Sequence, residues 1–149
     1  MATSERFMPV PPQAVWDALA DARSYGYWVV GSSEIRDVDA TWPDAGARFH
    51  HTVGFGRLRV SDHTESVEAR APSRLRIRAK ARPLGTANVT LTLTPHAGGT
   101  RVRMCEQPDG ATSWLAFNPL VQLLLRGRNA ESLMRLEELA LLHAERSPS

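Results

Sequence analysis

The sequence predicts an α+β domain in which one long C-terminal helix lies across a single antiparallel sheet. Three observations carry this. Residues from Asn118 to about Ala144 form an amphipathic run with no proline after Pro119. Turn signals cut residues 33–107 into pieces of hairpin length, and two of those pieces alternate strictly between apolar and polar residues.

Taken in order, Glu5–Val10 reads as a short strand, with Pro9 at an edge or strand end. The pattern then becomes helical from Pro11 to Asp21, where Val15, Ala18 and Leu19 share a face and Trp16 supplies a large aromatic surface. A second short helix is expected before Gly26-Tyr27-Trp28. Breaks at Trp42–Gly46, Gly54–Gly56, Ala71–Ser73, Pro83–Gly85 and Pro95–Gly99 then separate six strands. In Arg74–Arg82, Leu75, Ile77, Ala79 and Ala81 alternate with basic residues. In Ala87–Thr94, Ala87, Val89, Leu91 and Leu93 alternate with Asn88 and three threonines. The same parity turns Val102, Met104 and Glu106 inward on the last strand, Phe49, His51 and Val53 on the third, and Leu58, Val60, Asp62 and Thr64 on the fourth. Ile35 and Val38 have opposite parity, which leaves the second strand unassigned.

The terminal helix opens on Asn118-Pro119, an N-cap residue followed by proline at the first helical position. About 25 residues span about 37 Å, more than a typical strand, so the helix must cross the sheet diagonally. With Leu133 at the centre of its buried face, Asn129, Ala130, Leu136 and Ala140 lie beside it and Leu123, Leu125 and Leu141 flank it. Arg128, Glu131, Arg135, Glu138 and Arg146 fall opposite. Gln122, Arg126 and Asn129 make the first turns of the stripe polar, which is where a pocket could begin.

Composition bounds the function. The 149 residues fit a single domain, 1–149, able to bury close to ~70% of its unfolded surface. No apolar run approaches the ~20 residues of a membrane span, and Met1 is followed by polar residues, so neither integral membrane association nor a cleaved signal is expected. Cys105 is the only cysteine, which excludes an internal disulfide and suits a reducing cytoplasm. A net charge of +2 is too small to imply nucleic-acid binding. The outward row Arg74, Arg76, Arg78, Lys80 and Arg82 carries no interleaved aromatics for base stacking, so it reads as a solvated face.

Strand, two short helices, six strands and a long helix match a known plan. Pro12–Asp21 followed by Tyr25 and Trp28, Gly99-Thr100-Arg101-Val102-Arg103-Met104, and Arg128-Asn129 leading into Leu133 and Leu136 together resemble the START/Bet v1-like (SRPBCC) superfamily, in its polyketide cyclase/dehydrase and lipid transport branch. The resemblance covers nearly the whole chain. It implies a helix-grip fold, a curved antiparallel sheet of about seven strands wrapped around the C-terminal helix. It also implies a cavity between them for a small hydrophobic or aromatic molecule. The alternative it offers is a cofactor-independent cyclase/dehydratase acting on polyketide-like substrates. No metal or other cofactor is expected, and the protein is read as a monomer or homodimer.

Candidate site residues follow from parity. Glu106 is carried inward, where a carboxylate must pair with a cation or take a proton. Arg126 and Asn129 on the helix are its expected neighbours, and Glu106 reads either as a general acid or base or as a structural partner for an arginine. His51 and Asp62 share the inward face. In a cyclase His51 would be the base, with Arg126 or Thr64 the enolate donor; otherwise His51 and Asp62 bond each other or meet solvent at the sheet edge. Trp28, Trp42, Phe49, Phe55, Trp114 and Phe117, with inward Met104, are candidates to line the pocket, or else belong to the core.

Overall fold

The computed structural model describes residues 2–30, 32–55, 57–81, 85–109 and 118–146. Strand β1 (Ala2–Met8) leads into α1 (Pro12–Ala20), a 3₁₀ turn (Ala22–Ser24) and the one-turn α2 (Tyr25–Trp28). Strands β2 (Ser32–Val38), β3 (Arg48–Phe55), β4 (Leu58–Arg70), β5 (Arg74–Ala81), β6 (Gly85–His96) and β7 (Gly99–Asp109) precede α3 (Pro119–Arg146). The first strand begins earlier than expected, and Gly26, Tyr27 and Trp28 lie within the second helix rather than after it.

The sheet is antiparallel throughout, in the order β1-β7-β6-β5-β4-β3-β2. The two short helices thus carry the chain from one edge strand, β1, to the other, β2. Each later strand joins its predecessor by a hairpin. At the β6–β7 turn Ala97 and Gly98 both have positive φ (48° and 80°), the backbone of the two-residue turn that matches strand twist. Gly99 lets β1 approach closely, since a Cβ there would stand 2.4 Å from the Met8 carbonyl oxygen.

The alternation of β5 and β6 is seen directly: Leu75, Ile77, Val89, Leu91 and Leu93 are buried, and they share one hydrophobic cluster with Val102, Met104, Leu133, Leu136 and Ala140. The helix therefore covers the apolar face of the sheet. The opposite parity of Ile35 and Val38 is resolved by register shifts in β2, between Ser32 and Glu34 and between Ile35 and Val38, so that both residues pack against the core. On the outer face Arg74 bonds Glu68 at 3.1 Å, Arg78 bonds Asn88 at 3.1 Å, and Arg76 is exposed.

Helix α3 runs unbroken through Gly127. Its cap is the expected one, because Asn118 Oδ1 accepts from the backbone N–H of Leu120 (2.9 Å) and of Val121 (3.3 Å). Its buried stripe is Asn129, Ser132, Leu133, Leu136 and Ala140. The centre is thus turned roughly 40° from Leu133 towards Ser132, at 100° per residue. Ala130, Leu123 and Leu141 are consequently exposed rather than buried or flanking. Glu137, which sequence places awkwardly near the apolar side, accepts from Arg6 Nε at 2.9 Å and so ties α3 to β1.

Candidate functional site

Three elements, α2, β3 and α3, carry buried polar groups of the candidate site. On α2, Trp28 is fully buried, and its ring packs at a tilt against Tyr25, 4.7 Å between centroids. Tyr25 meets Phe49 of β3 at 5.0 Å, and Phe49 meets His51 at 5.9 Å. Just past α2, the Val30 N–H donates to Ser132 Oγ of α3 at 3.1 Å, one turn from Asn129. A one-turn helix therefore links the aromatic row of β3 to the polar stretch of α3.

Trp28 Nε1, His51 Nε2 and Asn129 Nδ2 are buried with no hydrogen-bond partner among the described residues. An unsatisfied buried polar group costs about 1–3 kcal/mol, so each of the three favours a partner. The other large aromatics have partners or are packed. Trp42 donates Nε1–H to the Leu19 carbonyl at 3.1 Å and packs on Phe49 and Tyr25, while the Tyr25 hydroxyl donates to the same carbonyl at 2.8 Å. Burial pushes the Tyr25 phenol far up, so it stays protonated and donating.

His51 is 4% exposed. Burial holds its imidazole below the ordinary histidine range, against the opposing pull of a backbone hydrogen bond at His63 and the charge of Asp62. It is therefore neutral at pH 7. Protonation is favoured in the unfolded chain, so stability is full above the ordinary histidine pKa and falls as pH drops below it. The urea midpoint is expected to decline from pH 7.5 to 5.5, and His51→Gln to flatten that decline. An unchanged slope in the variant would contradict the burial of a neutral ring.

Asp62 faces His51 across the β3–β4 ladder, but its Oδ1 accepts from the His63 backbone N–H at 2.9 Å and lies 3.3 Å from His63 Nδ1. Thr64 and Met104 are buried on the same sheet face. Glu106, 6% exposed, pairs with Arg128. The expected partner, Arg126, is exposed instead. Sequence placed Arg128 on the far side of α3. With the stripe turned towards Ser132 it stands at the border, from which a long guanidinium side chain reaches β7. The Phe55 side chain lies outside the described ones, as do Trp114 and Phe117.

Ser132 and Arg128 were missed from sequence. Ser132 looks like an ordinary helix-surface residue, and only the orphan N–H of Val30 explains its burial.

The family model for polyketide cyclase / dehydrase and lipid transport proteins matches residues 2–140, and the chain belongs to that family. Among solved structures it is similar to protein NE0264 from Nitrosomonas europaea, at 20% identity with a TM-score of 0.67, covering 94% of this chain and 93% of that one. It is also similar to TTHA0849 from Thermus thermophilus, at 21% identity and TM-score 0.65, covering 95% and 97%. Ara h 8.0201 aligns at 12% identity and TM-score 0.69, covering 94% and 96%. These likenesses establish the START/Bet v1-like fold. No match is found among curated proteins. Among the described residues no helix is long and apolar enough to cross a membrane.

Proposed function

We propose that the protein binds a small hydrophobic or aromatic molecule between the sheet and α3. The supporting observation is a set of buried polar atoms without a partner among the described residues, Trp28 Nε1, His51 Nε2 and Asn129 Nδ2, on elements that also contribute to the hydrophobic core. Apolar walls with a few polar atoms at fixed positions suit a flat neutral guest bearing an acceptor oxygen. Trp28 and Asn129 would donate to that oxygen, and His51 would take or give a hydrogen bond beside it. Glu106 and Arg128 neutralise each other, so this pair offers no free charge to an ionic guest.

Native mass spectrometry of gently purified protein should show a small-molecule adduct. Asn129→Leu should weaken rebinding of the recovered compound at least about tenfold, since a site built around a hydrogen bond discriminates strongly. Only the bare chain mass, or equal affinity in the variant, would refute the proposal.

A cyclase/dehydratase is the second reading, favoured by neutral His51, whose ring has the protonation state of a general base. It predicts turnover of a poly-β-ketone probe that falls about 10²-fold or more in His51→Ala with binding retained. Glu106, engaged by Arg128, is assigned the structural role in either reading.

A further inference from the structure

We infer that His50 and His63, opposite each other on β3 and β4, form a binding site for a divalent transition cation of the zinc or copper type. The two residues are direct partners in the β3–β4 register. Strand parity sets them on the other side of the sheet from buried Phe49, His51 and Thr64, and so away from α3. Their imidazole centres stand 5.9 Å apart, with the ring planes at 60°.

That separation suits one shared ion. An imidazole bonded to zinc at ~2.0–2.1 Å has its ring centre about 3.2 Å from the metal. Two such rings are then about 5.2 Å apart at a tetrahedral angle and about 6.4 Å apart in line. The observed value falls between these limits, so a common ion asks for side-chain rotation and no movement of the strands.

A second observation is the carboxylate beside His63. Asp62 Oδ1 lies 3.3 Å from His63 Nδ1 and is itself held by the His63 backbone N–H at 2.9 Å. A carboxylate at Nδ1 keeps the proton there and turns the Nε2 lone pair towards a metal, as second partners of ligating histidines do. The His63 side chain is 13% exposed whereas His50 is open to water, so the ion would be sheltered on one side and reachable from the other. Imidazole ligands select zinc, copper or nickel over magnesium or calcium. Among the described residues no group of three or more His, Cys, Asp or Glu could hold a metal, so water completes the shell of this two-ligand site. The site stands apart from the interior beneath α3, and failure of one proposal leaves the other intact.

The test is calorimetric titration of the chelator-treated full chain with Zn²⁺, with Mg²⁺ in parallel, together with ¹H–¹⁵N spectra during addition of Cu²⁺. One zinc and no magnesium should bind per chain, and substoichiometric copper should first broaden the amides around His50 and His63. His50→Gln should weaken zinc binding at least about tenfold, with metal-free melting unchanged because that side chain is exposed; His63→Gln should weaken it as much. Asp62→Asn, which removes an orienting group and no ligand, should weaken it about tenfold without abolishing it. His96→Gln and His143→Gln should leave it unaltered. Absence of zinc binding, undiminished affinity in His50→Gln, or broadening centred on another histidine would overturn the inference.

Discussion

Leu136→Asp is expected to leave no cooperatively folded domain at 25 °C. Leu136 is fully buried in the cluster that joins α3 to the sheet. Truncating such a leucine costs about 2–5 kcal/mol, and an unpaired buried carboxylate adds several more, together comparable with the ~5–15 kcal/mol that holds a domain. Leu136→Met keeps the volume and should cost under about 1.5 kcal/mol, which separates charge from shape. Circular dichroism melting decides the matter. A variant aspartate as stable as the parent would mean that α3 does not rest on the sheet through this face.

Arg128→Ala is expected to lower stability by about 2–3 kcal/mol, because it strands the carboxylate of Glu106, whose side chain is 8% exposed, while Arg128 itself is 36% exposed. Glu106→Gln should cost less, since an amide tolerates burial and the arginine can turn to solvent. Combining Arg128→Ala with Glu106→Gln should be clearly less damaging than the sum of the two, as befits residues that share one interaction. Additive losses in urea unfolding would show that the pair contributes nothing. The pair joins the early turns of α3 to the end of β7, so its loss should also speed amide exchange around residues 120–128.

Much of the fold was legible because periodicity reports burial directly. Leu75, Ile77, Val89 and Leu91 declare the inner sheet face, and the Asn118-Pro119 start of α3 is set by local capping chemistry. Strand β2 was illegible for a stated reason: its register shifts put Ile35 and Val38 on the same side of the sheet despite an odd spacing, and no sequence signal marks a bulge built from ordinary residues. The helix phase was readable only approximately. Aliphatic residues occur on several faces of α3, and an error of roughly 40° suffices to move Arg128 from the far side of the helix to the border of its buried stripe.

For the candidate site, parity alone located His51, Thr64, Met104 and Glu106 on the inner face, because strand alternation needs no tertiary information. It could not anticipate that Trp42 and Phe49 pack with Tyr25 into one aromatic cluster, or that Asp62 turns to His63. The first depends on how the chain carrying Tyr25 folds back over the sheet, and the second is a bond between adjacent residues of β4 that parity does not report. Nor could it separate Trp28 from Trp42, although one indole N–H is satisfied by Leu19 and the other has no partner among the described residues.

That difference supplies the most direct test of whether the interior beneath α3 receives a guest. In ¹H–¹⁵N spectra, titration with a neutral naphthol probe should shift the indole N–H signal of Trp28 as a new hydrogen bond forms, while that of Trp42, already bonded to a backbone carbonyl, stays in place. A probe that binds yet leaves Trp28 unmoved, or shifts both indoles alike, would contradict the account.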